Sequence, residues 1–136
     1  MGERAKILLV DDDVDFSRIT QAALEKADFE VFLAFSGEEG RRKAKEVIPD
    51  LIIMDAMMET QTEGIHAIYD LRGDPQLENV PIIMLTAINS KAYPWRLDKD
   101  ENWLPVDRFL DKPVASQQLV SEVSAVLAEK RRAQSE

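Results

Sequence analysis

The chain reads as an α/β protein, a parallel sheet wound with helices on both faces. Three observations carry that reading. The apolar runs ILLV, LIIM and IIML recur along the chain, each bounded by polar or turn residues. Runs of this length are the mark of strands buried on both sides. Stretches with a helical apolar period separate them. Each run also ends in a chemically pointed residue: Asp11 and Asp12 after the first, Asp55 after the second, Thr86 after the third, and Lys112 with Pro113 after a fourth run, RFLD.

In chain order, AKILLV forms the first strand. Asp13 or Asp12 then caps a helix from about Val14 to Lys26 with Phe16, Ile19 and Ala23 on one face. EVFLAF is the second strand, and Ser36 with Glu39 makes a capping-box pattern before the helix GEEGRRKAKEVI, which Pro49 closes. DLIIMD is the third strand and AMMETQTEG a polar loop, after which Ile65, Ile68 and Leu71 begin a third helical face. VPIIMLT is the fourth strand, with Pro81 tolerated at its start. VDRFLD is the fifth, shorter and more polar, as an edge strand tends to be. The last helix starts near Ser116, with Leu119, Val123, Val126 and Leu127 at 3–4 spacing. Between Thr86 and Lys112 the pattern fails. Pro94 and Pro105 interrupt the segment, so the fourth helix is expected to be short or distorted, roughly residues 89–100, with Trp95 and Trp103 packing the segment onto the body.

The chain has 136 residues, a length that favours one domain and one core. The expectation is a single domain over 1–136, ordered over about 4–129, with 130–136 as a fraying tail. At 45% hydrophobic and 32% charged it is ordinary globular composition. A net charge of −9 argues against a nucleic-acid surface, which needs clustered Lys and Arg. With no Cys, thiolate metal sites, disulfides and cysteine nucleophiles are excluded. No apolar stretch reaches the roughly 18 residues that span a bilayer, and the first ten residues lack a signal-peptide pattern. A cytoplasmic protein is the simplest expectation.

In an open parallel sheet, ligands sit just beyond the carboxyl ends of the strands. There Asp11, Asp12 and Asp55 would offer oxygen ligands to Mg2+, a hard cation usually held by one or two carboxylates plus phosphate oxygens. Asp55, on the middle strand, is best placed to act as a nucleophile toward phosphorus and form an acyl phosphate. Lys112 supplies a compact positive charge for one phosphoryl oxygen, and the Thr86 hydroxyl a hydrogen bond to another. Each residue alone has a plain structural reading: a helix cap, a strand threonine, a solvated lysine. Their joint order and spacing argues for the functional one.

These residues, in ILLVDDD, LIIMDAMM, IIMLTA and FLDKPV, resemble the receiver domain of two-component response regulators over essentially the whole chain. The resemblance implies the flavodoxin-like five-stranded fold with strand order 2-1-3-4-5, here as a stand-alone module without an output domain. It implies that Asp55 is the phosphoacceptor, and that Mg2+ is held by Asp12, Asp11, Asp55 and the backbone carbonyl of Met57. The phosphate-binding and switch set is Thr86, Ala87, Lys112 and Phe109, and the Lys112–Pro113 bond is cis. A sensor histidine kinase donates the phosphoryl group, an unidentified protein reads the result, and a homodimer through the last helix is possible. Phe109, lacking the hydroxyl of Tyr, is expected to be buried or only weakly biased by phosphorylation. His66, the only His, is read as structural or exposed and not as a phosphate carrier. Two further readings stand beside this one. A receiver-shaped interaction domain that does not use phosphate is the first. The second is an aspartyl-phosphate phosphohydrolase, for which Asp11 and Asp13 give a D-x-D pair but Asp15 and the short chain fit poorly.

The chain departs from the family's pattern at Glu59, where Pro is usual, in a loop to Gly64 that is one residue longer than common, and between Thr86 and Lys112. Met57 and Ile88 follow the acceptor and the switch threonine by two positions, and both are apolar. Neither side chain can position a water for attack on an acyl phosphate, so self-dephosphorylation is expected to be slow. The decay rate of the phosphorylated wild type should fall well below that of a Met57→Asn, Ile88→Glu variant; equal rates would defeat the expectation.

Overall fold

The structure is a computed structural model and describes residues 4–55, 63–87 and 106–135. Strands β1 (Lys6–Val10), β2 (Glu30–Ala34), β3 (Leu51–Asp55), β4 (Ile82–Ala87) and β5 (Arg108–Lys112) form one sheet. All pairings are parallel, and the order is β2-β1-β3-β4-β5. Helices α1 (Val14–Lys26), α2 (Gly37–Val47), α3 (Glu63–Arg72) and α4 (Ser116–Ser135) cover the two faces. The doubly wound sheet of order 2-1-3-4-5 is therefore the observed fold. Residues 56–62 and 88–105 lie outside the described residues, and with them Met57, Glu59, Ile88, Trp95, Trp103 and the short or distorted fourth helix expected at residues 89–100.

Strand side chains alternate between faces with period two, and here the alternation sorts the core in two. Leu8, Val10, Ile52, Met54, Ile82 and Met84 pack with Ala44, Ile68 and Leu71 beneath α2 and α3, with Phe109 against them. Ile7, Leu9, Leu51, Ile53, Ile83, Leu85 and Leu110 pack with Leu24 of α1 and with Leu119, Val123 and Val126 of α4. The same parity decides which way each strand-end residue points.

The caps follow the sequence. Asp13 caps α1, its Oδ1 accepting from the Phe16 N–H at 3.0 Å. Ser36 caps α2 by accepting from Glu39 N–H at 3.1 Å, and Glu39 in turn accepts from Phe35 N–H at 2.7 Å. Arg72, at the end of α3, holds the turn into β4 by donating to the carbonyls of Glu78 at 2.9 Å and Val80 at 2.6 Å. It also faces Asp107 at 3.6 Å, whose carboxylate accepts from Ile82 N–H at 2.8 Å. Arg108 ties the edge strand to α4 through Glu129 at 2.6 Å and Glu122 at 3.4 Å.

One expectation needs correction. The buried stripe of α1 is Ser17, Thr20 and Leu24, whereas Ile19 is 63% exposed. Ser17 Oγ lies 3.4 Å from the Asp11 carbonyl, so a hydroxyl under the helix answers a backbone group at the strand end. A stripe chosen by hydrophobicity alone misses a face that has polar work to do. Helix α4 is described to Ser135, and its last turns contain neither Gly nor Pro.

Gly40 is required by close approach. A Cβ placed there would lie 2.8 and 2.9 Å from the two γ-methyls of Val10, which is fully buried on β1. Ala is worth about 1 kcal/mol over Gly in a helix interior, while overpacking a stiff β-branched neighbour costs about 1–3 kcal/mol. Gly40→Ala is therefore expected to lose about 1 kcal/mol net, read as a lower urea midpoint at unchanged slope. A higher midpoint would show that the α2–β1 contact yields.

Candidate functional site

The carboxyl edge of the sheet gathers the site. Asp11 follows β1, Asp55 ends β3 and Lys112 ends β5, and all three share the parity of the residues facing α1 and α4. Asp11 and Asp55 are buried, at 0% and 1% exposure, while Asp12 is exposed. Carboxylate oxygens of Asp11, Asp12 and Asp55 lie within 4.8 Å of one another, a spacing at which they can hold one cation. The Lys112 ammonium sits 2.9 Å from Asp11 Oδ2 and 3.4 Å from Asp55 Oδ2.

Local structure fixes Asp11. Its N–H donates to the Ala34 carbonyl at 3.0 Å, and its Oδ1 accepts from Asp13 N–H at 2.9 Å. Its Oδ2 is buried without an aligned hydrogen-bond donor, although the Lys112 charge stands beside it. The ion pair is the contact that counts there, and the unfilled lone pairs leave ligating capacity facing the crevice. Among the described residues, one ammonium stands against three carboxylates, a net negative set. An orphaned buried carboxylate oxygen, two neighbouring carboxylates and an all-oxygen donor set fit a hard divalent cation.

Burial pulls the Lys112 ammonium toward deprotonation, but bonding to Asp11 and the charges of Asp55 and Asp11 outweigh it, and its pKa is raised overall. A raised lysine pKa contributes stability that is complete below the unfolded value of about 10.4 and is lost only as pH climbs through the folded value. Lys112 is thus fully charged across the neutral range.

The other candidates fall around this centre. Thr86 ends up on the opposite face, sharing parity with Ile82 and Met84, fully buried, with Oγ1 3.3 Å from Asp111 Oδ1 and 3.5 Å from the Leu110 carbonyl. Phe109 is half-buried against the α2/α3 core and not exposed. The Lys112–Pro113 peptide is cis. Ala87 closes β4 opposite Lys112. His66 is exposed on α3. Met57 lies outside the described residues. A cleft at the far end of the sheet, lined by Asp50, Pro75, Pro81 and Lys130, brings no comparable set of charges together.

Three site neighbours escaped the sequence reading. The Phe16 ring lies under the Lys112 ammonium, 4.8 Å from its centroid, a cation–π contact that braces the lysine from α1. Ser17 approaches the Asp11 carbonyl, and Asp111 approaches Thr86. Phe16 and Ser17 stand next to the Asp13 cap, which carried the only available hint.

Fold and site together define a small flavodoxin-like domain with an acidic crevice at the carboxyl ends of its strands. The response regulator receiver domain family matches residues 7–124, and the chain belongs to that family, the receiver domains of two-component systems. It is 33% identical over 94% of its length to hybrid signal transduction histidine kinase D of Dictyostelium discoideum, of which it covers 8%. It is 36% identical over 90% of its length to the transcriptional regulatory protein CpxR of Escherichia coli, of which it covers 49%. The chain thus spans at most about half the length of these relatives. Among solved structures it resembles the Vibrio cholerae chemotaxis protein CheY4, at 28% identity and TM-score 0.77, covering 90% of this chain and 98% of that one. A CheY-like receiver domain from Methanospirillum hungatei, at 22% identity, TM-score 0.78 and 96% and 98% coverage, shares the fold.

Proposed function

We propose that Asp55 accepts a phosphoryl group from the phosphohistidine of a sensor histidine kinase, and that the resulting acyl phosphate changes the surface this domain offers to a downstream protein. The observation that carries the reading is the Lys112 ammonium shared by two buried carboxylates, Asp11 at 2.9 Å and Asp55 at 3.4 Å, beside a third. A structural ion pair needs one carboxylate; a crevice with surplus negative charge is built to receive cations and an oxyanion.

A carboxylate oxygen of Asp55 forms the new bond to phosphorus as the P–N bond of the donor imidazole breaks and the electron pair returns to the ring nitrogen. Asp11, Asp12 and Asp55 would hold magnesium, which would supply positive charge against the phosphoryl oxygens. Lys112 turns from the carboxylates toward a phosphoryl oxygen, and Phe16 keeps its ammonium over the crevice meanwhile. Asp11, pinned by the Asp13 N–H and by its own N–H to Ala34, keeps the donor set rigid. Thr86 and Ala87 read the group, and Phe109 moves with Thr86. The domain modifies itself and turns over no substrate. A cytoplasmic location and contacts with kinase and target go with this reading, as does one receiver unit over the chain.

Incubation with a small phosphodonor and magnesium, followed by intact mass, tests it. One added phosphoryl group is expected, and borohydride reduction should convert the modified residue to homoserine at position 55. No added mass, or modification elsewhere, would sink the proposal.

A further inference from the structure

Thr86 and Asp111 are lateral partners in the β4–β5 register, so their side chains leave the same face of the sheet. The Thr86 hydroxyl is buried and has one proton. Among the described residues, its acceptors within reach are Asp111 Oδ1 at 3.3 Å and the Leu110 carbonyl at 3.5 Å, both on β5. Asp11, Asp55 and Lys112 share the parity of the other face. To meet a phosphoryl oxygen on Asp55, the hydroxyl has to give up both β5 acceptors. Any residue at position 110 would provide the carbonyl; the carboxylate is a choice of this sequence.

We infer that Asp111 is a positioning residue, a latch that holds the Thr86 hydroxyl turned toward β5 in the resting domain and opposes the switch. The inference rests on the phosphoacceptor reading above. A contact made only in the resting state lowers the apparent affinity for whatever favours the switched state. Asp111 is also exposed and adjoins Lys112 in the chain, so it can act merely as a negative charge, and the test separates the two roles.

The whole chain is titrated with beryllofluoride, a stable mimic of a phosphoryl group on a carboxylate, in the presence of magnesium. Asp111→Ala should bind about fivefold more tightly than wild type, which at 1.4 kcal/mol per tenfold is about 1 kcal/mol. Asp111→Asn keeps an acceptor oxygen and should stay within about twofold. In a Thr86→Val background the latch has nothing to hold, and adding Asp111→Ala should change affinity by less than about twofold. An equal gain in both backgrounds assigns Asp111 a charge effect and overturns the latch, as does no gain beside Thr86. A second measurement needs no ligand. Three-bond couplings of Thr86 should report one side-chain rotamer in the resting wild type and averaging in Asp111→Ala; an unchanged rotamer overturns the latch. If no variant binds beryllofluoride, the phosphoacceptor reading fails, and the rotamer measurement still decides on Asp111.

Discussion

Asp55→Asn is expected to gain no phosphoryl mass from a small phosphodonor with magnesium, and to be more stable than wild type when magnesium is withheld. The amide lacks the carboxylate nucleophile, so the loss of modification is complete. The gain in stability comes from the charge balance. Asp55 is 1% exposed and, among the described residues, faces two other carboxylates within 4.8 Å and the Lys112 ammonium at 3.4 Å, which it shares with Asp11. At an effective dielectric of about 20, each repulsion is worth about 3.5 kcal/mol and the attraction about 5 kcal/mol, an imbalance of about 2 kcal/mol against the carboxylate. Solvent screening of exposed Asp12 reduces it to about 1 kcal/mol. Magnesium reverses the order, because a cation at ten times its Kd adds about 1.4 kcal/mol to the wild type, while the variant has lost one ligand. Urea midpoints with and without magnesium check this. A variant less stable than wild type in the metal-free protein would mean that the Lys112–Asp55 attraction outweighs the repulsion.

The strand ends were legible because chemistry and burial coincide there: a run such as LIIM needs no charge at its end, and Asp55 has one. Parity made the rest of the site hard to read. Once the register pairs Thr86 with Asp111 and Ala87 with Lys112, the threonine and the lysine fall on opposite faces. The sequence, which lists them as two strand-end residues, implies that they simply converge. Phe16 reads in the sequence as one residue of an apolar helix face, and its contact with Lys112 joins positions almost a hundred residues apart with no local signature. Ile19 shares that apolar face in the sequence yet is exposed, because the turn of α1 nearest the crevice turns Ser17 inward. In each case the misreading arises where a polar group serves the site and not the core.

Lys112→Met should have the opposite sign to Asp55→Asn in the metal-free protein and should cripple phosphorylation. Met keeps the length and apolar stem while removing the charge. Asp11, fully buried, then keeps one aligned donor, the Asp13 N–H, and loses the ammonium that stood 2.9 Å from its orphaned Oδ2. Breaking a buried pair from one side costs about 3–5 kcal/mol. Lys112 is a quarter exposed and divides its charge between two partners, so about 2–3 kcal/mol is the expected loss. Magnesium, by replacing the missing positive charge, should restore part of it, and Asp11→Asn should restore part without any metal. Phosphorylation should still fall about a hundredfold or more with magnesium saturating, because removing a preorganised group aimed at developing charge typically costs that much. Lys112→Arg should not rescue the rate, since a planar guanidinium does not fill the space of an ammonium seated on the Phe16 ring. If Lys112→Met kept both its metal-free stability and its phosphorylation rate, the shared ammonium would be a surface pair without function, and the charge argument for both variants would fall together.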